Sequence, residues 1–298
     1  MKVSFSVELK HKSGKQNFAV SLAKAMSRKG VKITSPKSSN IHLVFVNGIK
    51  RGGINVLRLD GALMNSNINS EAKNKKIRKT MKQCKGVIYQ SKYSRNVCRK
   101  RIGHHKKSCI IYNGCNPQYF NNPYNHTRPY ILAYSRWRPH KRLGAIIEGF
   151  LSSGVSQEYD LLIGGEVESK TSHKAVLYLG KVKYKKMMNI VAGSSFVVHL
   201  AYLDCCPNSV VESLVAGKPV LHSCSGGTGE IVKDSGYSVE DVPYKYNIID
   251  LYNINLPDIN KAIDGYKYLA SNKITVDRPD LHINIVADKY IKYLRSFL

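Results

Sequence analysis

Residues 195–223 read SFVVHLAYLDCCPNSVVESLVAGKPVLHS. The stretch begins with a short run of β-branched and aromatic residues, which predicts a buried strand. Pro207 and the two polar residues after it predict the start of a helix, and Gly217 predicts its end before a second apolar strand. A strand, a turn and a helix N-terminus therefore follow one another, as in parallel α/β domains.

The start of this helix indicates a phosphate site, because the N–H groups of a first helical turn are unpaired and carry a partial positive charge. Asn208 and Ser209 open the helix, and Asp204 lies just before it. We place Glu212 in the first turn, so two carboxylates flank the site and suit the hydroxyls of a nucleotide sugar. Residues 209–212 also fit the S-x-x-E capping box, in which Glu212 only satisfies the Ser209 N–H. The local pattern does not decide between these interpretations.

Strand and helix patterns alternate along the chain, which predicts βαβ units and a mainly parallel sheet. A Pro-, Asn- and Tyr-rich stretch at residues 113–128 interrupts the alternation and predicts a domain linker. We therefore expect an α/β protein with two doubly wound, Rossmann-like domains, residues 1–125 and 126–280, that face a cleft. In such sheets ligands bind at the carboxyl ends of the strands.

The positive charge of the chain is concentrated in its first half. Residues 1–125 contain 26 Lys and Arg but only three acids, Glu8, Asp60 and Glu71, in a chain of net charge +27. Such a field attracts an anionic partner, which could be a phosphorylated or acidic acceptor, a membrane surface or nucleic acid. Few aromatic residues are interleaved with the basic ones, which disfavours nucleic acid. A solvated basic face without a specific partner is the alternative.

Composition excludes several other classes of protein. At 298 residues and 43% hydrophobic content the chain can form two packed domains, and it has no apolar run long enough to span a membrane. The start MKVSFSVELKHK indicates a strand that runs into charge rather than a signal peptide, so we expect a cytoplasmic protein. Seven cysteines without CxxC spacing predict neither a disulfide framework nor a zinc site.

The stretch DCCPNSVVESLVAGKPV at residues 204–220 resembles the donor-site motif of glycosyltransferase family 4, whose fold is GT-B. The family has two glutamates separated by seven residues before a small-residue helix and a G-x-P-V strand. The resemblance implies that Glu212 binds the ribose of the donor and that Asp204, one methylene shorter than the usual glutamate, lies by the transferred sugar. It also implies that a last helix, at residues 281–298, packs back on the N-terminal domain.

The segment SRWRPHKR at residues 135–142 follows a predicted strand and carries candidate diphosphate ligands. Family 4 has an arginine after this strand and a lysine five residues later, which Arg136 and Lys141 match. Cations at these places neutralise the negative charge of a departing diphosphate. The alternative is a basic first turn of a surface helix, although cations there oppose the helix dipole. No D-x-D motif is present, so we expect no metal.

The remaining candidate residues lie at other strand ends. Asp60 ends an apolar run and is placed to orient or deprotonate an acceptor hydroxyl, unless it only forms an Asp-Gly turn paired with Arg58. Gly14 corresponds to a glycine loop of the family near the donor phosphate or acceptor, or makes an ordinary βα turn. By the same resemblance, Gly180 lies beside the nucleobase and Gly227 belongs to a loop whose amides face the donor, unless Gly227 only makes the turn. His199 is interpreted as a core histidine rather than a base.

These residues together predict a metal-independent glycosyltransferase that retains the anomeric configuration and uses a UDP- or GDP-sugar without a further cofactor. The expected acceptor is a glycan, a glycolipid or another hydroxyl compound that carries negative charge, with the membrane surface as a further partner. The alternatives are a catalytically inactive GT-B protein that binds nucleic acid or an anionic surface through residues 1–125, and another GT-B enzyme such as an epimerase or an inverting transferase.

Overall fold

The computed structural model describes residues 1–11, 13–50 and 52–298. The chain forms two compact units, each with its own parallel sheet. Unit 1 consists of Met1–Asn116, Tyr246–Ile249 and Pro279–Leu298, and unit 2 of Pro117–Lys245 and Asp250–Arg278. The division thus falls after Asn116, within the linker that we predicted and before the expected boundary at residue 125.

The sheet of unit 1 has the strand order β2-β1-β3-β4-β5-β6, and its described pairs are all parallel. Helices connect several of these strands, as the alternation in the sequence predicted. The elements are β1 (Lys2–Phe5), α1 (Gly14–Arg28), β2 (Lys32–Ile33), β3 (Ile41–Phe45), β4 (Ile54–Leu59), α2 (Ser70–Lys82), β5 (Gly86–Tyr89), α3 (Lys92–Arg101), β6 (Ser108–Ile110) and the last helix of the chain, α9 (Ile283–Arg295).

Helix α1 starts where Ser13 caps it, since the Ser13 hydroxyl accepts a hydrogen bond from the Gln16 N–H at 3.4 Å. Its apolar face is buried in the core of unit 1 together with the apolar face of α9. The rings of Phe18 from α1 and Tyr290 from α9 lie 6.1 Å apart. The last helix is therefore part of the N-terminal unit, although it is the end of the chain.

Unit 2 has the strand order β12-β11-β10-β7-β8-β9, also with parallel pairs. Its elements are β7 (Tyr130–Tyr134), α4 (Leu143–Ser152), β8 (Asp160–Gly164), β9 (Val176–Gly180), α5 (Tyr184–Gly193), β10 (Val197–His199), α6 (Asn208–Val215), β11 (Val220–Ser223), α7 (Thr228–Val232), β12 (Gly236–Val239) and α8 (Ile259–Ser271).

Alternate residues along the strands of unit 2 pack into two different clusters. Ile131 and Ala133 of β7 pack with helices α4 and α8, whereas Tyr130 and Leu132 pack with α5. Because successive side chains of a strand point to opposite faces, helices cover both faces of this sheet. The fold class is confirmed: the protein is α/β with two doubly wound parallel sheets.

Helix α4 begins at Leu143, because Pro139–Lys141 forms a 3-10 turn and Arg142 adopts a left-handed conformation with φ of 56°. Helix α3 ends at Arg101. No helix in the described parts of the chain is long and apolar enough to cross a membrane.

Candidate active site

The predicted donor residues of unit 2 lie after strands that end at the same edge of the sheet. Strand β7 ends at Tyr134, β10 at His199 and β11 at Ser223, and parallel strands have their carboxyl ends together. Helix α6 begins at Asn208, shortly after β10. The edge therefore collects side chains from segments that are far apart in the sequence.

Asp204 is held by two donors on one carboxylate oxygen. Its Oδ2 accepts from the Lys141 ammonium and from Nε2 of His199, the latter at 2.9 Å. Burial raises the pKa of Asp204, but the contacts with Lys141 and His199 more than offset that effect, so the pKa lies well below its ordinary value. Asp204 is thus a carboxylate at neutral pH. Its Oδ1 accepts no hydrogen bond from any residue that the structure describes.

The backbone at Asp204 is fixed by the glycine-rich segment at residues 225–229. Leu203 has a positive φ of 60°, and its N–H donates to the Ser225 hydroxyl at 3.2 Å. The Gly227 N–H donates to the Asp204 carbonyl at 2.7 Å. A Cβ at Gly226, whose φ is 77°, would lie 2.5 Å from that same carbonyl oxygen. The Gly227 amide, which we expected to face the donor, is therefore used to position Asp204.

Glu212 lies in the second turn of α6 rather than in the first. Its carboxylate accepts from the Tyr134 hydroxyl at 2.8 Å and from the Tyr184 hydroxyl at 2.9 Å. The capping-box interpretation is wrong, because the N-cap is Pro207 and Ser209 already belongs to the helix. Burial raises the pKa of Glu212 to about 7, although the two tyrosine hydroxyls lower it. Glu212 is a buried group that titrates near neutrality.

The first turn of α6 contacts His199 through Ser209. Asn208 and Ser209 are half-buried, and the Ser209 hydroxyl lies 3.4 Å from Nδ1 of His199. His199 is buried, and burial lowers its pKa, so the ring is neutral at pH 7. Sequence reasoning treated His199 as a core residue and missed its contact with Asp204. Its position five residues before that carboxylate, at the end of a strand, was the available signal.

The basic segment after β7 presents its two predicted cations differently. Arg136 is exposed and makes no ion pair with any residue in the described part of the chain. Lys141 is mostly buried and bound to Asp204, with 15% of its side chain exposed. Between them, burial lowers the pKa of His140 to about 4, and the charge of Lys141 adds to this effect. Arg136 is the freer cation for an incoming anion.

Arg142 and Asp241 form a buried pair that sequence reasoning did not identify. The guanidinium donates to both carboxylate oxygens, at 2.5 and 3.0 Å, and only 1% of the Arg142 side chain and none of the Asp241 side chain is exposed. Asp241 also accepts from Ser223, whose hydroxyl lies 2.7 Å from that of Ser225. Because the Ser225 hydroxyl also accepts from the Leu203 N–H, this network stabilises the backbone next to Asp204.

The other predicted residues belong to other elements of the fold. Gly180 ends the edge strand β9 with a φ of 61°, and its carbonyl accepts from the Gly165 N–H at 2.8 Å. Gly14 and Asp60 belong to unit 1, where Gly14 is the exposed first residue of α1. Asp60 follows β4 and is paired with Arg58, so the pairing that we kept as an alternative is present. The described residues contain no cluster of His, Cys, Asp and Glu that could hold a metal ion.

Residues 117–242 match the family model described as Glycosyl transferases group 1. This match lies within unit 2 and contains the Asp204 and Glu212 sites. No curated protein sequence matches the chain.

Solved structures with the same fold include Anabaena Alr3699/HepE in complex with UDP-glucose, at a TM-score of 0.68 and 13% identity over 99% of this chain and 100% of that chain. WaaG, a glycosyltransferase involved in lipopolysaccharide biosynthesis, matches with a TM-score of 0.62 and 12% identity over 97% and 99% of the two chains. AviGT4, a glycosyltransferase involved in avilamycin A biosynthesis, matches with 0.61 and 12% over 99% and 98%.

The fold is that of the GT-B glycosyltransferases. Residues 117–242, less than half of the chain, match the group 1 glycosyltransferase model, and the protein is an enzyme of the glycosyltransferase class.

Proposed function

We propose that the protein transfers a sugar from a nucleotide-diphosphate sugar to an acceptor hydroxyl. The observation that carries this proposal is the pair of carboxylates around α6, within the matched domain. Asp204 offers an open oxygen before the helix, and Glu212 offers a buried carboxylate in its second turn. A ligand with hydroxyls at both ends and a diphosphate between them suits this arrangement.

The charged residues of the donor site have separate roles in this proposal. Glu212 binds the ribose hydroxyls, and Oδ1 of Asp204 accepts from a hydroxyl of the transferred sugar. Arg136 binds the diphosphate, and Lys141 changes partner from Asp204 toward it as negative charge develops on the leaving group. His199 keeps its hydrogen bond to Asp204 while Lys141 moves to the diphosphate.

We further propose the family 4 reaction, in which the product keeps the anomeric configuration of the donor and no metal takes part. The bond between the anomeric carbon and the diphosphate breaks, and the acceptor oxygen forms a bond to that carbon from the same side. The acceptor proton leaves with the diphosphate, so no enzymic nucleophile is needed. The site is consistent with this scheme, since Asp204 is held by Lys141 and His199, and Glu212 by Tyr134 and Tyr184.

The acceptor belongs to unit 1 in this proposal, and we infer that it is a glycan or glycolipid with negative charge. Basic residues of α2 and α3 dominate the exposed surface of these helices, and Glu71 is the only acid on them. The same charge would attract an anionic membrane surface, at about 1 kcal/mol for each basic residue near it. We propose a cytoplasmic enzyme that associates peripherally with such a membrane surface.

A thermal-unfolding titration with UDP, GDP and ADP at fixed salt tests the donor proposal. A nucleotide present at about 100 times its dissociation constant adds roughly 2.7 kcal/mol of stability, which raises Tm by several degrees. We expect a shift with one nucleotide, loss of that shift in Glu212→Ala, and no loss in the control Glu148→Ala, whose side chain is exposed on α4. If no nucleotide shifts the wild type and the protein binds oligonucleotides in a salt-dependent way, the inactive binding protein is the better description.

A further inference from the structure

The carboxyl end of β4 in unit 1 carries a fully buried arginine. Arg58 is 1% exposed, and its guanidinium carbon lies 4.6 Å from the ring centroid of Phe18 and 4.9 Å from that of Phe45. Burial of a guanidinium is costly unless its donors are satisfied by acceptors in good geometry. The structure supplies acceptors for the two terminal nitrogens, Asp60 after β4 and Asn113 after β6.

The hydrogen bonds around Arg58 form a closed ring. Arg58 donates through one terminal nitrogen to Oδ1 of Asp60 and through the other to Oδ1 of Asn113, the latter at 2.6 Å. Nδ2 of Asn113 donates to Oε1 of Gln90 at 3.2 Å, and Nε2 of Gln90 donates to Oδ1 of Asp60. Asp60 follows β4, Gln90 follows β5 and Asn113 follows β6.

The direction of every bond in the ring is determined by chemistry. An arginine can only donate, so the side-chain oxygen of Asn113 faces it and the amide nitrogen of Asn113 faces Gln90. The amide nitrogen of Gln90 must then face Asp60. Two donors thus converge on Oδ1 of Asp60 from opposite sides of the ring and fix the rotation of this carboxylate.

The second oxygen of Asp60 is left open by this arrangement. Oδ2 accepts no hydrogen bond from the described residues, and 44% of the Asp60 side chain is exposed. The other acids of residues 1–125 have more exposed partners, since Glu8 pairs with Lys10 and Glu71 lies 3.8 Å from Arg101. Asp60 is therefore a carboxylate whose inner oxygen is fixed and whose outer oxygen is offered to solvent.

We propose that Oδ2 of Asp60 binds and orients the acceptor hydroxyl, and that Arg58, Gln90 and Asn113 position it for this task. The inference rests on the proposed glycosyl transfer and adds an acceptor subsite to it. An ammonium group would be the other donor for a carboxylate, but Arg58 already neutralises Asp60 and the surrounding unit is strongly basic. The ligand class is thus a neutral hydroxyl, as on a sugar or another polyol, within an acceptor whose negative charge lies elsewhere.

Asp60→Asn tests this assignment because it should preserve the ring. The asparagine oxygen would take the two inner donors, which leaves an NH2 group where the open acceptor oxygen stood. We would measure release of nucleotide diphosphate from UDP-glucose and GDP-mannose, with water alone and with methyl α-D-glucopyranoside or methyl α-D-mannopyranoside added. Release in water alone reports the donor site, and the added release reports the acceptor.

We expect Asp60→Asn to lower the acceptor-dependent release about ten- to a hundredfold, the effect of losing a hydrogen bond to a charged group. The ratio of acceptor-dependent release to release in water alone should therefore fall in this variant. Gln90→Leu should lower the acceptor-dependent release less, mainly through a higher acceptor KM, because Asp60 keeps its charge but loses one of its two fixed donors. Gln83→Leu, at an exposed position beyond α2, serves as the matched control.

Three outcomes would overturn the assignment. They are equal loss of both activities in Asp60→Asn, an unchanged acceptor response in that variant, and the absence of any response of the wild type to both glycosides. A wild type that neither releases nor binds nucleotide would instead refute the proposed function, and the nucleotide titration detects that case separately.

Discussion

The carboxyl end of each sheet carries an aspartate with one carboxylate oxygen held by two donors, but the two aspartates have different surroundings. In unit 1, Oδ1 of Asp60 is held by Arg58 and Gln90, and in unit 2, Oδ2 of Asp204 is held by Lys141 and His199. Each carboxylate keeps its other oxygen open. The exposed fraction of the side chain is 44% for Asp60 but 24% for Asp204.

The two aspartates differ in the side chains that donate to them. Arg58 lies over the rings of Phe18 and Phe45 and Gln90 is buried, so the donors of Asp60 stay in place when a ligand arrives. Lys141 has a flexible side chain, and in the proposed reaction it exchanges Asp204 for a ligand phosphate. Asp60 with its fixed donors suits the orientation of a hydroxyl, and Asp204 with its mobile lysine suits a position beside a leaving diphosphate. Variants that remove one donor at a time test this distinction.

The largest effect is expected from the buried arginines of the two units. Arg142→Met should destabilise unit 2 by about 3–5 kcal/mol, because it leaves the fully buried Asp241 without its partner. Arg58→Met should cost less, because Asp60 is 44% exposed and water can solvate it. Urea unfolding, followed by a spectroscopic probe in each unit, measures both losses. Arg138→Met, at an exposed position, should change stability by no more than about 0.5 kcal/mol.

Equal losses in Arg58→Met and Arg142→Met would contradict this interpretation. They would mean that the exposure of the acid does not determine how much unfolding free energy is lost with its arginine. The contrast between Asp60 and Asp241 would then be wrong.

The sequence was most informative where the chain matches a family. The strand-turn-helix pattern, Asp204, Glu212 and Lys141 could all be found from motif spacing, and these residues lie together at one edge of unit 2. The Arg142–Asp241 pair could not, because it joins residues 99 positions apart through a left-handed residue and loops. The ring around Asp60 was equally hidden, since Gln90 and Asn113 are ordinary polar residues until three parallel strands bring their ends together. The tyrosines on Glu212 were hidden for the same reason, as only the packing of α5 brings Tyr184 to α6.

A smaller effect is expected from the opposite titration of the two donor-site acids. Glu212 has a pKa raised by burial from 4.5 to about 7, so the folded state binds its proton more tightly than the unfolded state. Its contribution to stability is fully present below about pH 4.5 and is lost as pH rises through about 7, by up to about 3 kcal/mol. Asp204 has a lowered pKa, so its contribution is present above its ordinary value of 3.8 and is lost as pH falls below it.

Glu212→Gln should therefore gain stability relative to the wild type as pH rises from 5 to 8, which urea unfolding at several pH values measures. The control Glu148→Gln should follow the wild type, since its carboxylate is exposed. A wild-type curve that runs parallel to that of Glu212→Gln would show that Glu212 is ionised throughout and would remove the contrast with Asp204.

The smallest effect is expected from Tyr184→Phe, which removes one of the two hydroxyls on Glu212. The hydrogen bond favours the charged carboxylate, so its loss should raise the pKa of Glu212 further above 7, by up to about one unit for a bond of about 0.5–1.5 kcal/mol. The pH at which stability falls should move upward by the same amount, whereas the exposed Tyr252→Phe should leave it in place. Because a ribose hydroxyl would compete with Tyr184 for the same oxygen, the variant should also bind its nucleotide at least as tightly as the wild type above that pH. Weaker binding there would assign Tyr184 to the ribose site itself, as a second ligand of the donor rather than a substitute for it.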